Sequence, residues 1–295
     1  MAGELMEIQE DVRAESVKSD KTLFLQKAEL DMLVEFVRIC DKCHLKYFMA
    51  GGTFLGAVRH KGFIPWDDDV DIGMYRKDYE KFLEIAEKEL TYPYKIQTYK
   101  NCKSHHYYFS HIVDTRYKVR RLGSIDKREE YVWIDIFPYD GLPRGFFKEI
   151  ITYLRLLFYR FCYHMANYDK INMERKDRAV WQKALLKLLF LLQKIIHFDK
   201  EKWINKIDKN LRSIDLEESD KIMSFMGVKL SKEIFPKEIY MSLKKYKFEN
   251  LLLWGPQDYD YVLKQLYGNY MTLPPKENRI LHPMQIVECE KKCNL

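Results

Sequence analysis

The sequence predicts an α+β fold: a mixed β-sheet flanked by helices, with an apolar helical hairpin added after it. Three observations point there. Helix, strand, glycine turn, strand, helix and further strands follow one another over the first half of the chain. A Val/Ile alternation interleaves with aspartates in Pro65–Ile72, the period-two pattern of a strand with one buried face. Two strongly apolar helical stretches then occupy about 145–168 and 178–198. With 295 residues, 47% of them hydrophobic and 32% charged, the chain has enough apolar surface for a sizeable core and is not a disordered composition.

In order along the chain, residues 1–21 read as a loosely ordered polar lead-in. Apolar positions Leu25, Leu30, Leu33, Val34, Val37 and Ile39 recur at helical spacing and predict an amphipathic helix over 22–43. Lys46–Ala50 is a short aromatic-rich strand running into Gly51-Gly52-Thr53, and Phe54–Arg59 is a short helix. Asp69–Met74 is a second strand and Lys77–Leu90 a second amphipathic helix. Strands follow at 94–98, 107–113, 115–120 and 130–137, the last ended by Pro138. The predicted divisions are the lead-in, a catalytic core over 22–143, the hairpin over 144–200, and a C-terminal helical region over 201–295 that packs back on the core. Tyr259–Tyr267 is the one clear helix in that last region.

A net charge of +6 is compatible with anionic ligands or an anionic membrane surface, and no feature calls for nucleic acid. The N-terminus lacks the basic and apolar regions of a signal peptide, so a cytoplasmic protein is expected. Six scattered cysteines then predict free thiols. Cys40 and Cys43 make a C-x-x-C, but it lies in a helical pattern with no second ligand pair.

The chemistry concentrates in Asp67-Asp68-Asp69-Val70-Asp71. On a strand, Asp67, Asp69 and Asp71 share one face, while Asp68, Val70 and Ile72 take the other. Carboxylates at this density repel one another, and a divalent cation with a taste for hard oxygen, Mg²⁺ or Mn²⁺, removes the conflict. The competing reading is a solvated acidic loop. Gly51, Gly52 and Thr53 end a strand and open a helix, a place where backbone amides can approach phosphate, although a purely structural turn would use the same residues. Asp135 lies amid Trp133, Ile134, Ile136 and Phe137, where a lone carboxylate needs a cation or hydrogen-bond donors. Arg59, His60 and Lys61 could meet phosphate oxygens or simply be a solvated loop, and Trp66 is a candidate substrate contact.

The stretch Met49–Ile72, together with WIDIFPYDGLP (Trp133–Pro143) and LYGNYMTLPP (Leu266–Pro275), resembles the LicD family, bacterial relatives of fukutin-type transferases within the nucleotidyltransferase superfamily. The likeness covers about 45–145 and returns near 255–283. It implies a nucleotidyltransferase-like fold. It also places the glycine-pair motif on Gly51-Gly52-Thr53, paired metal-binding carboxylates on Asp69 and Asp71, and the third on Asp135. The implied activity is metal-dependent transfer of a phospho-substituent, typically phosphocholine from CDP-choline, to a hydroxyl of a cell-surface glycan or teichoic-acid precursor, with CMP released. Asp135 or Asp67 could then take the hydroxyl proton, and Lys61 or Arg59 could stabilise the leaving CMP. A choline headgroup would call for ring faces, with Tyr107, Tyr108, Tyr139 and Trp66 as candidates. Two other readings remain: a related nucleotidyltransferase acting on a small molecule or protein, and a non-catalytic protein that kept the fold.

Neither apolar stretch offers the roughly 20 uninterrupted apolar residues that spanning requires. Lys183, Lys187 and Lys194 fall on one side of a helical wheel among leucines and isoleucines. The hairpin therefore either packs on the core or lies on a membrane surface, where a lipid-linked glycan acceptor would be presented.

Overall fold

The computed structural model describes residues 20–122, 126, 128–170, 198–275, 279 and 284–289. Helix α1 (Asp20–Lys42) buries Leu25, Ala28, Met32, Leu33, Phe36, Ile39 and Cys40, a three-and-four spacing that gives it one continuous apolar face. It starts inside the predicted lead-in; the rest of that segment lies outside the described residues. Strand β1 (Phe48–Met49) leads into α2 (Gly51–Arg59), which already includes the glycine pair rather than beginning at Phe54. Strand β2 (Asp71–Tyr75) runs straight into α3 (Arg76–Glu89), followed by β3 (Tyr94–Gln97), β4 (Ser110–Arg121) and β5 (Glu129–Gly141).

Three strand boundaries differ from the sequence reading. The second strand joins the ladder only at Asp71, although the chain before it keeps the alternating burial. The two strands expected at 107–113 and 115–120 are one strand, β4, whose register against β5 slips between Asp114 and Lys118. Pro138 does not end β5. The β4 ladder stops at Ser110 opposite Ile136, so the missing N–H of Pro138 interrupts no bond on that side.

Beyond β5 lie α4 (Phe146–Ala166) and α5 (Lys200–Arg212), then β6 (Lys221–Met223), β7 (Ile234–Pro236) and α6 (Lys237–Met241). A β8–β9 hairpin (Leu243–Phe248, Leu251–Pro256), α7 (Tyr259–Tyr267) and β10 (Met284–Cys289) complete the order. The C-terminal region is thus not simply helical. Asp199 and Asp258 cap α5 and α7, accepting from the Lys202 and Tyr261 amides.

Eight strands form one sheet with the central order β1-β2-β5-β4-β10. The β2–β5 pair is parallel and the rest antiparallel, so the sheet is mixed as expected. Helix α1 lies across β4 and β5, and the main core fills the space between. A smaller core joins α4, α5 and the β5–β6 end through Leu142, Leu156, Tyr163, Ile204, Ile207 and Leu211. The outer side of α4 is an apolar ridge of Phe146, Phe147, Ile150, Ile151, Leu154, Phe158 and Phe161, with Phe147 78% and Ile151 62% exposed. The second helix expected at 178–198 falls almost wholly outside the described residues. Among those residues no helix is long and apolar enough to cross a membrane.

Candidate active site

The acidic residues are set by backbone before any side-chain chemistry begins. The Ala50 amide donates to the Asp71 carbonyl (3.0 Å), and the Asp71 amide donates to Thr53 Oγ1 (2.8 Å). Thr53 is therefore buried and turned to the strand, where it holds Asp71 in place. Asp71 pairs with Asp135 in the parallel β2–β5 ladder, whose first bond runs from the Asp135 amide to the Val70 carbonyl (2.8 Å). Across the other edge of β5, Asp135 pairs with His111. Asp71, Asp135 and His111 thus form a row across three adjacent strands.

Residues 67–72 alternate as the strand period requires: Asp68, Val70 and Ile72 are buried, whereas Asp67, Asp69 and Asp71 are partly open. Gly51 and Gly52 sit directly against the open carboxylates. A Cβ on Gly51 would collide with Asp71 Oδ2, and one on Gly52 would lie 2.8 Å from Asp67 Oδ2. Gly51 also has φ +48°, the left-handed region that side chains disfavour. The glycine pair is a cradle in which acidic oxygens occupy the space of a side chain.

Burial pushes the Asp71 carboxyl well above its usual range, and the charges of Asp69, Asp135 and Asp67 add to the shift. Glu29, on α1, is raised first by burial and then by Asp69, Asp68, Asp67 and Asp135. Its Oε2 has no hydrogen-bond partner among the described residues, and with Asp68 it lines a small cavity closed by Leu25, Val119, Val132, Trp133 and Met284. Such an excess of crowded negative charge, all of it hard oxygen, fits a divalent cation such as Mg²⁺ or Mn²⁺. Among the described residues no three acidic, histidine or cysteine side chains already meet around one point, so coordination would require these carboxylates to turn inward.

Of the basic trio, Arg59 is buried, donating to the Tyr270 carbonyl (2.7 Å) and to His60 Nε2 (2.8 Å). Burial draws its guanidinium down to about 10, so it remains a cation at neutral pH, with Asp67 among the charges that favour it. Lys61 is exposed and donates to the Val58 carbonyl (3.0 Å) at the end of α2, so its ammonium serves the helix terminus. Trp66 is edge-on to His60 at 6.1 Å and carries the Arg279 guanidinium over its ring at 4.9 Å. Glu249, at the β8–β9 turn, accepts from the Phe63 amide (3.0 Å) and braces the loop that delivers the acidic segment.

Residues 44–160 match the domain described as LicD/FKTN/FKRP, nucleotidyltransferase domain. The chain is 31% identical over 263 residues to the lipopolysaccharide cholinephosphotransferase LicD of Haemophilus influenzae, covering 87% of this chain and 93% of that protein. It belongs to the LicD family. A shorter likeness, 45% identical over 42 residues, links it to the human ribitol 5-phosphate transferase FKRP, over 14% of this chain and 8% of that one. An uncharacterized protein of Rickettsia typhi is 44% identical over 59 residues, 20% of this chain and 19% of the relative.

Several residues of this LicD-family site escaped the sequence reading. Glu29 looks like any polar position of an amphipathic helix. Tyr267 lies within the C-terminal likeness, yet only the fold brings its hydroxyl close enough to Asp71, Asp67 and Asp69 for them to add to the upward push of burial. His111 carried no local signal, because its row is created by strand register.

Proposed function

We propose that the protein is a nucleotidyltransferase-fold enzyme that uses Mg²⁺ or Mn²⁺ to transfer a phospho-substituent from a CDP-linked donor to a glycan hydroxyl, releasing CMP. Phosphocholine from CDP-choline onto a cell-surface glycan or teichoic-acid precursor is the leading pair. The observation that carries the reading is the register pairing of Asp71 with Asp135, with Asp67 and Asp69 beside them under the glycine pair. The near full-length likeness to a cholinephosphotransferase supports the choice of substituent.

In this reading Asp69, Asp71 and Asp135 would hold a divalent cation, whose charge would be supplied to the pyrophosphate and the transferred group. The acceptor oxygen forms a bond to the phosphorus bearing the substituent, the bond from that phosphorus to the bridging oxygen breaks, and CMP leaves with the electron pair. The hydroxyl proton passes to Asp135 or Asp67. Gly51 and Gly52 give the donor's phosphates access to amides at the start of α2, and Arg59 supplies fixed positive charge close by.

The test is CMP release with Mg²⁺ and a panel of CDP-choline, CDP-ethanolamine and CDP-ribitol, with and without glycan acceptor. Release from one donor that rises with acceptor supports the reading. Turnover of none, alongside nucleotidyl transfer from another nucleotide to a small molecule or protein, would favour the related-enzyme alternative.

The ridge on α4 supports a second element of the reading, a position at the inner face of the plasma membrane. Seven large apolar side chains face outward beside exposed Lys148 and Arg155, a combination suited to an anionic lipid surface. A lipid-linked acceptor would be met there.

A further inference from the structure

The His111 ring is 4% exposed and boxed on several sides. It stacks on Trp133 with centroids 5.5 Å apart and planes 16° from parallel, and meets His105 edge-on at 4.5 Å and Tyr107 at 4.9 Å. Arg121 covers Trp133 at 4.5 Å. These contacts fix the ring so that Nε2 lies 2.9 Å from Asp135 Oδ1. Yet Nε2 has no hydrogen-bond partner among the described residues, because the approach to Asp135 is out of line for an N–H donor. A buried ring nitrogen held 2.9 Å from a carboxylate, with no hydrogen bond of its own among the described residues, is placed to share a third centre with that carboxylate.

We propose that His111 is a nitrogen ligand of the same cation site, extending the row Asp71–Asp135 by one strand and tilting the site toward Mn²⁺ over Mg²⁺. The inference rests on the carboxylate–cation reading above. Imidazole suits the softer first-row ions better than Mg²⁺, which strongly prefers oxygen. A site of carboxylates alone would discriminate less between the two.

Pulsed EPR on the full-length protein loaded with Mn²⁺ tests this without reference to turnover. A nitrogen coupling is expected, and it should change isotope in protein grown with ¹⁵N-histidine. His111→Gln should keep Mn²⁺ but bind it at least ~10-fold more weakly, lose the nitrogen coupling, and show a smaller Mn²⁺-over-Mg²⁺ preference in competition titrations. If the Gln variant fails to fold by circular dichroism, His111→Asn takes its place. Mn²⁺ bound in wild type with no nitrogen coupling would overturn the inference and leave the carboxylate site standing, as would a coupling that persists in the folded variant. Mn²⁺ bound by neither wild type nor Asp71→Asn would remove the cation reading itself.

Discussion

Replacing Asp71 or Asp135 by Asn keeps the side-chain shape and removes one charge from the row. If the pair holds the cation, CMP release should fall by ~100-fold or more, because an ion that stabilises transferred charge contributes several kcal/mol to the barrier. Because each carboxylate is crowded by the others, the same change should leave the thermal midpoint of the metal-free protein equal or higher. Gly51→Ala should act in the opposite way. It places a methyl group against Asp71 and a side chain at φ +48°, so a loss of about 1–2 kcal/mol in denaturant unfolding is expected, along with weakened cation binding. His105 gives a pH signature. Burial first, then His111, pulls it down to about 3, so the unfolded chain takes up a proton near pH 6.5 long before the native state does. Its stability contribution is complete above pH 6.5 and is lost as pH falls toward 3. The urea-midpoint gap between wild type and His105→Gln should therefore narrow from pH 7 to pH 4; a constant gap would refute the assignment. At this scale the odd-numbered aspartates and Asp135 were legible because strand period and an isolated polar residue are local signals. Arg59 stood open between a phosphate contact and a solvated loop, and only the fold, which buries it beneath the Tyr270 carbonyl, removes the solvated alternative.

At the scale of elements, the β2–α3 junction is tied to the far end of β5 by Arg76, which donates to both oxygens of Asp140 at 2.7 and 2.6 Å and to the Tyr108 hydroxyl at 2.9 Å. Asp140 is buried and the arginine nearly so. Removing one partner strands the other charge, so Arg76→Leu should cost about 3–5 kcal/mol, whereas an exposed pair such as Lys264–Asp260 should contribute little when broken. Urea unfolding of the two variants separates the cases. Helices with a clean apolar face were readable to within two or three residues, as α1, α3 and α7 show. The segment from Lys221 to Pro256 was not, because strands of three residues and a hairpin with scattered lysines carry too few turns of any period. Pro138 shows a different limit, since whether a proline ends a strand depends on where its neighbour ends.

For the whole molecule, the ridge on α4 gives the most direct test of placement. Full-length protein should float with vesicles containing anionic lipid, less with neutral ones, and less again when Phe147, Ile151 and Leu154 are changed to Ser. Equal flotation of wild type and variant would place any lipid contact elsewhere. The parallel pairing of Asp71 with Asp135 has one more effect. The two residues are about sixty positions apart in the chain, with a helix and two strands between them, so they become neighbours only when the sheet is assembled. The unfolded polypeptide keeps Asp67, Asp68, Asp69 and Asp71 together but lacks Asp135 beside them, so an ion that needs the assembled row binds the native state more tightly than the unfolded chain. Such an ion acts as a folding ligand, raising the melting temperature with its concentration. A chelator would lower it again, so a thermal melt can report on site assembly before any substrate is known.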